Sequence, residues 1–217
     1  FFKVATDHQS MGKLALDMTV EQIVRTVAKA KDKHLENFTV IMLERDRHTE
    51  ILQTLRKMGV RIILLPDGDI AAAVVTCIPD SGVDLLVGAG AGPEATIAAT
   101  AVKCLGGTML VNVWKDKKDD AGRLKRLMDI GVDVDKTYNE NELAKGNELV
   151  FAASGVTKGE LLGGVRFTSA GANVHSLCVR LPSGTYETSR TTLRFKDHPI
   201  YRNVDLNGHP LHDQNGF

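Results

Sequence analysis

The sequence predicts an α/β protein in which parallel β-α units are followed by antiparallel strands. In the first part of the chain, four short apolar runs alternate with stretches of helical periodicity. This alternation is typical of a largely parallel sheet covered by helices on both faces. In the last part, short strand-like runs follow one another between Gly, Ser, Asn and Pro turns. A chain of 217 residues is long enough to bury a substantial core.

The β-α units are predicted to occupy residues 1–137. An amphipathic helix is predicted over Thr19–Lys31, because its apolar residues recur on one face. The predicted strands are Thr39–Leu43, Arg61–Leu65, Val83–Val87 and Thr108–Val113. The predicted helices that follow them are Glu50–Met58, Ile70–Ile78, a helix from Pro93 to about Leu105, and Ala121–Ile130.

Residues 138–200 are predicted to form antiparallel strands of the same domain, either extending the sheet or adding a layer. The predicted strands are Leu149–Ala153, Gly164–Thr168, Val174–Leu181 and Thr185–Phe195, with a hairpin turn at Ser183-Gly184. The polar tail, residues 201–217, is expected to be loosely ordered.

Composition excludes several classes of protein. The formal net charge of zero provides no electrostatic footprint for nucleic acid. No apolar run approaches the roughly 20 residues that a membrane-spanning helix needs, and the first residues lack the layout of a secretory signal. The cysteines Cys77, Cys104 and Cys178 lie in apolar contexts, which predicts buried reduced thiols and a cytoplasmic protein.

The segment Val83–Gly107 combines a strand, a glycine-rich turn and the start of a helix. Gly88, Gly90 and Gly92 allow a ligand to approach the backbone closely, and the free N–H groups at a helix start attract anions. Glu94 adds a carboxylate at this same place, directly after Pro93. A cation between Glu94 and a bound phosphate would relieve their repulsion, so the segment indicates metal-assisted phosphate chemistry.

Two further polar segments follow predicted strands directly. Arg45 and Arg47 flank Asp46, and two guanidinium groups suit a phosphate clamp. Asp67 and Asp69 flank Gly68, and such aspartates can hold a divalent ion or accept hydrogen bonds from sugar hydroxyls.

Each of these segments also has a purely structural interpretation. The arginine segment can be a solvated loop with surface ion pairs, and Asp69 can be the N-cap of the following helix. Glu94 can simply complement the helix dipole. The functional interpretation is favoured because the carboxyl ends of parallel strands meet at one edge of a sheet, where ligands bind.

Other candidates have less support. Ala153–Phe167, with the sequence ASGVTKGELLGGVRF, either lines an anion site or only connects two strands, and the structural interpretation is preferred. His209 and His212 are the only histidines at a spacing suited to a metal, and they are expected to be exposed tail residues. The glycine-rich turn lacks the Gly-Lys-Ser/Thr ending of a phosphate-binding P-loop.

Several segments in this order resemble class II fructose-1,6-bisphosphatases. They are ERDRH, the run LLPDGDIAAAVVTCIPDSGVDLLVGAGAGPE, AVKCLGG and ASGVTKGELLGGVRF, and the resemblance extends from about Leu14 to Arg194. These enzymes belong to the lithium-sensitive, metal-dependent sugar phosphatase superfamily. Some cyanobacterial members also accept sedoheptulose-1,7-bisphosphate. The resemblance implies a layered α/β sandwich and a homo-oligomer, a dimer or a tetramer.

The resemblance also implies roles for particular residues. Arg45, Asp46 and Arg47 would form one substrate-binding segment, and Asp67, Gly68 and Asp69 another. Glu94 would be a ligand of Mg²⁺ or Mn²⁺. Family members usually have glycine where this chain has Ala91, a position that lies next to the substrate.

The resemblance further implies that most metal carboxylates, and an acidic Asp-Gly-Thr segment, belong to an N-terminal portion that does not precede Phe1 in this sequence. The catalytic residues are therefore expected outside this chain. The leading hypothesis is hydrolysis of the 1-phosphate of fructose-1,6-bisphosphate, in gluconeogenesis or the Calvin cycle. The alternatives are a non-catalytic sugar-phosphate-binding module and a phosphosugar isomerase.

Overall fold

Two compact units make up the chain in the computed structural model, which describes residues 1–115 and 120–195. The first unit contains Phe1–Phe151 and Val179–Tyr186, and the second contains Ala152–Cys178 and the described residues from Glu187 onward. The predicted tail, with His209 and His212, lies outside the described residues. Among the residues that are described, no helix is long and apolar enough to cross a membrane.

A six-stranded mixed sheet forms the centre of the first unit. Its strands are β1 (Phe2–Thr6), β2 (Thr39–Leu43), β3 (Arg61–Leu65), β4 (Leu85–Ala89), β5 (Thr108–Asn112) and β6 (Tyr138–Asn139). They are arranged in the order β3-β2-β4-β1-β5-β6. Strand β2 is parallel to both β3 and β4, with Thr39 opposite Arg61 and Val40 opposite Leu85. The predicted α/β fold is confirmed.

Strand β1 was not predicted from the sequence. It lies between β4 and β5 and is antiparallel to both, with Lys3 opposite Gly88 on one side and Val111 on the other. The lysine interrupts an otherwise apolar run, which conceals the strand pattern in the sequence. The sheet is therefore parallel in β2, β3, β4 and β5, and β1 runs against them.

Helices cover the sheet of the first unit. They are α1 (Val20–Ala30), α2 (Thr49–Met58), α3 (Asp69–Val75), α4 (Gly92–Cys104), α5 (Asp120–Asp129) and α6 (Glu140–Leu143). One core cluster joins Ile23 and Val27 of α1 and Leu55 of α2 to Val4 and Val40 of the sheet. Helices α3 and α4 contact each other and bury small residues, which allows a helix to lie close to a sheet. These include Ala72, Ala73, Ala95, Ala98 and Ala99.

Strands β2, β3 and β4 end at the same side of the sheet, which we call the carboxyl edge. After β2 the chain passes to β3 on one side, and after β4 it passes towards β5 on the other. The loops that follow β2 and β4 therefore diverge, and the space between diverging loops is where open α/β sheets bind ligands.

The second sheet contains β7 (Val150–Ser154), β8 (Arg166–Thr168), β9 (Gly171–Arg180) and β10 (Thr185–Arg194). Its order is β10-β9-β7, and β8 pairs antiparallel with β9. Gly184 has a φ of 60°, which suits the predicted hairpin turn between β9 and β10.

The three cysteines are unpaired thiols, as the sequence predicts. Cys77 and Cys104 are buried, and Cys178 is partly buried. Burial raises the pKa of the Cys77 thiol to about 12, which leaves it protonated and unreactive at neutral pH.

Candidate functional site

The segment that follows β2 contacts the neighbouring strand on each side. Arg45 donates from Nη1 to the backbone carbonyl of Pro66, 2.7 Å away, at the end of β3. Arg47 donates from Nη2 to the carbonyl of Ala89, also at 2.7 Å, at the end of β4. The two arginines therefore connect the end of β2 with the ends of β3 and β4. Asp46, which lies between them in the sequence, is exposed.

The buried His48 links the segment that follows β2 to strand β4. Its ring is 2% exposed, with Nδ1 2.8 Å from the carbonyl of Leu43 and Nε2 accepting the N–H of Ala89 at 2.8 Å. Both contacts are satisfied only when the ring is neutral and carries its hydrogen on Nδ1. Burial lowers the pKa of His48, and the charge of Arg47 lowers it further. This residue was not predicted from the sequence.

The two aspartates of the segment that follows β3, Asp67 and Asp69, have different surroundings. Asp67 accepts the N–H of Gly68 at 2.9 Å and leaves its side chain 92% exposed. Gly68 has a φ of 98°, a left-handed conformation that favours glycine. Oδ1 of Asp67 also lies 3.9 Å from Nη2 of Arg45, and the exposed carboxylate is available to a ligand at the carboxyl edge.

The alternative interpretation of Asp69 as a helix N-cap is wrong. Helix α3 begins at Asp69 itself, its N-cap is Gly68, and no side chain of the described residues caps it. The Asp69 carboxylate turns instead to Lys3 of β1, whose Nζ lies 2.5 Å from Oδ2. Lys3 is 2% exposed and the Asp69 side chain 12%, so the ion pair is largely shielded from solvent. Lys3 was missed because nothing in the sequence near Phe1 indicated that the residue faces the site.

The three glycines of the turn each lie against a side chain of the protein. A methyl group on Gly88 would come within 3.1 Å of the His48 ring, and one on Gly92 within 2.8 Å of the Phe1 ring. A methyl group on Gly90 would collide with the Asp69 carboxylate and approach Lys3 Nζ to 3.0 Å. The space left among Lys3, His48 and Asp69 is only about 10 Å³, at the lower limit for one water molecule.

Helix α4 begins at the carboxyl edge without a side-chain cap. Its N-cap is Ala91, with a φ of −79° and a ψ of 164°. Any L-residue adopts this conformation, so the alanine introduces no backbone strain. The uncapped N–H groups of the first turn and the positive end of the helix dipole both favour an anion here.

Glu94 occupies the first turn of the same helix. Its Oε2 atom is buried and has no hydrogen-bond partner among the described residues. An unpartnered buried carboxylate oxygen is costly unless a cation or a donor satisfies it. Glu94 therefore fits a metal ligand, although the described residues include no group of three His, Cys, Asp or Glu side chains that could hold a metal ion by themselves.

The fold and this edge together define an α/β protein in which one helix start carries Glu94, whose buried Oε2 has no partner among the described residues. Residues 1–193 match the family model described as "Bacterial fructose-1,6-bisphosphatase, glpX-encoded". The chain belongs to this family.

Curated relatives agree with the family match. A protein of Synechococcus sp. strain JA-3-3Ab, named D-fructose 1,6-bisphosphatase class 2/sedoheptulose 1,7-bisphosphatase, is 34% identical over 94% of this chain and 61% of its own length. A Synechococcus elongatus protein of the same name is 32% identical over 90% of this chain and 59% of its own length. The chain thus spans about three fifths of the length of these relatives.

Proposed function

We propose that the protein to which this chain belongs is a metal-dependent phosphatase acting on fructose-1,6-bisphosphate, with sedoheptulose-1,7-bisphosphate as a second substrate. The observation that carries the proposal is the buried Oε2 of Glu94, which has no partner in the described part of the chain and lies at an uncapped helix start in a chain of the bisphosphatase family. The names of the relatives support the choice of substrates.

Each polar residue at the carboxyl edge has its own role in substrate binding. Arg45 and Arg47 anchor the phosphate that is not cleaved, since a guanidinium group presents donors in a fixed planar fork. Asp67 accepts hydrogen bonds from the sugar hydroxyls. The Oδ2 atom of Asp69 pairs with Lys3 and thereby stabilises the glycine-rich turn beside it. The remaining lone pairs of the Asp69 carboxylate accept hydrogen bonds from the substrate.

Glu94 holds one Mg²⁺ or Mn²⁺ ion through its free oxygen. Such an ion, when bound, supplies a Lewis acid for the phosphoryl oxygens and lowers the pKa of an attacking water. The carboxylates that complete the metal site and the catalytic group are expected in the portion of the relatives that this chain does not span.

The decisive experiment is release of inorganic phosphate from fructose-1,6-bisphosphate by the whole protein in the presence of Mn²⁺. We expect Glu94→Gln to lower kcat by about 100-fold or more, because a metal ligand contributes several kcal/mol to the transition state. Glu21→Gln, on the exposed face of α1, is the matched control and should leave kcat unchanged. Activity of Glu94→Gln equal to that of the wild type would overturn the role of Glu94.

The alternatives give different results in the same assay. A sugar-phosphate-binding module binds fructose-1,6-bisphosphate in calorimetry without metal and releases no phosphate. A phosphosugar isomerase forms a product without free phosphate. Sedoheptulose-1,7-bisphosphate, assayed in parallel, establishes whether the second substrate is accepted.

We further propose that the protein is a cytoplasmic homo-oligomer. Three unpaired thiols, two of them buried, support a reducing compartment. Light scattering of the purified protein measures its mass, and a monomer would contradict the proposal.

A further inference from the structure

The second unit contains a cleft of about 960 Å³. Its lining residues belong to the loop between β7 and β8, to the first residue of β8, and to strands β9 and β10. Its volume falls in the range of small-molecule binding sites, about 300–1,000 Å³. All of its lining residues belong to this unit.

The cleft concentrates positive charge. Lys158, Arg166 and Arg190 line it, and its described lining residues include no carboxylate. None of the three cations forms an ion pair with any carboxylate of residues 1–115 and 120–195. Like charges gathered in one concavity repel one another, so an anion bound between them is stabilised.

The loop that carries Lys158 has backbone hydrogen bonds and close contacts of its own. The N–H of Val165 donates to Val156 at 3.0 Å, and that of Gly159 donates to Leu162 at 2.9 Å. A methyl group on Gly164 would lie 2.6 Å from the backbone of Thr157 and Lys158, so only glycine allows this close packing. A preformed loop loses little conformational entropy when a ligand binds.

Neutral donors complete the lining. His175 accepts the N–H of Gly163 at Nδ1, 2.9 Å away, which leaves Nε2 as the donor of its neutral ring. Thr192 donates to Oδ1 of Asn173 at 2.8 Å, which leaves the amide hydrogens of Asn173 for another acceptor. Cations with additional N–H donors are the groups that recognise phosphate oxygens.

We propose that this cleft is a second anion site, which binds the phosphate group of a small phosphorylated molecule through Arg166, Arg190 and Lys158. It lies within the second unit, whereas Arg45, Arg47 and Glu94 all belong to the first. The proposal does not rest on the phosphatase activity. It also assigns a role to the segment Ala153–Phe167, for which the sequence analysis preferred a purely structural interpretation.

The test is an NMR titration of the full chain, isotopically labelled and carrying Arg45→Gln and Arg47→Gln to weaken binding at the carboxyl edge. The probes are inorganic phosphate and ribose 5-phosphate. We expect the amide signals of residues 156–165 and 173–175 to shift with saturation at millimolar ligand or below. Tighter binding of ribose 5-phosphate indicates an organic ligand, and equal binding indicates a site for phosphate alone.

Single substitutions then test the side chains. Arg190→Gln and Arg166→Gln should each weaken binding at least tenfold, whereas Arg180→Gln should leave it unchanged. Arg180 is an exposed arginine of β9 that does not line the cleft, so it has the same charge without the proposed contact. Thermal unfolding of each variant verifies that it folds. Absence of shifts in these segments, or equal weakening by Arg180→Gln, would overturn the proposal.

Discussion

Lys3 Nζ lies 2.5 Å from Asp69 Oδ2, although the two residues are 66 positions apart in the chain. The pair connects the unpredicted strand β1 to the first turn of α3. It also lies against Gly90, whose missing side chain leaves room for the carboxylate. One ion pair thereby fixes two of the segments that border the proposed substrate site.

Removing one partner of this pair is expected to destabilise the protein. Lys3→Met leaves the largely shielded Asp69 carboxylate without a cation, and such a loss costs up to about 3–5 kcal/mol of the free energy of unfolding. Lys3→Met/Asp69→Asn should lose less than the sum of the two single variants, because no lone charge remains. Urea unfolding measures these differences. Arg25→Met, at an exposed ion pair of α1, should cost about 0.5 kcal/mol or less, and an equal cost at both sites would contradict the expectation.

The free energy of unfolding is expected to depend on pH through His48. Burial lowers the pKa of this residue from its usual 6.5. Above pH 6.5 the ring is neutral in both states, whereas below it the unfolded chain binds the proton more readily than the folded chain. Stability contributed by the neutral ring is therefore lost as the pH falls below about 6.5.

Chemical denaturation between pH 8 and pH 5 measures this contribution. His48→Gln should be less stable at pH 8 and should lose less stability on acidification than the wild type. The exposed His34→Gln serves as the control, and its pH dependence should follow the wild type. A His48→Gln curve parallel to that of the wild type would disprove the assignment.

Arg47→Gln should weaken substrate binding more than it weakens the fold. The guanidinium group is exposed apart from its bond to the carbonyl of Ala89, so we expect a loss of about 1 kcal/mol in stability. If Arg47 holds a phosphate, KM for fructose-1,6-bisphosphate should rise at least tenfold, since one charged hydrogen bond contributes about 1.5–3 kcal/mol. Steady-state kinetics beside Arg25→Gln separates the two effects, and an unchanged KM would remove Arg47 from the site.

Ala91→Gly should restore the residue usual in the family with little kinetic effect. Because Ala91 already has an ordinary φ of −79°, we expect KM to change by no more than about twofold. The stability should fall by about 0.4–1 kcal/mol, since glycine increases the entropy of the unfolded chain. A large fall in KM would show that the alanine methyl group obstructs the substrate.

The sequence predicted those parts of the fold that depend on local pattern. Thr39–Leu43 and Arg61–Leu65 have the predicted bounds, because each contains four consecutive apolar residues and ends directly before a residue that interrupts the run, Glu44 or Pro66. Other boundaries differ from the prediction, because small residues are compatible with a strand, a helix or a turn. Strand β4 extends through Gly88 to Ala89 instead of ending at Val87, and α3 begins at Asp69 and ends at Val75 instead of Ile78. Strand β1 was not predicted because it contains a buried charge, Lys3. Such a charge is stable only with a partner, and the partner of Lys3, Asp69, is distant in the sequence.

By itself, the sequence determined the α/β class, the succession of β-α units and the polar segments that follow three strands. These features follow from hydrophobic periodicity and turn chemistry, which act over a few neighbouring residues. Only the tertiary structure decided what those side chains contact: Asp69 with Lys3, His48 with Ala89, and Glu94 with no described partner. The reason is physical, since a buried polar group is governed by the charges and donors that folding brings beside it. The glycine-rich turn was evident in the sequence, but the side chains that require its glycines were not.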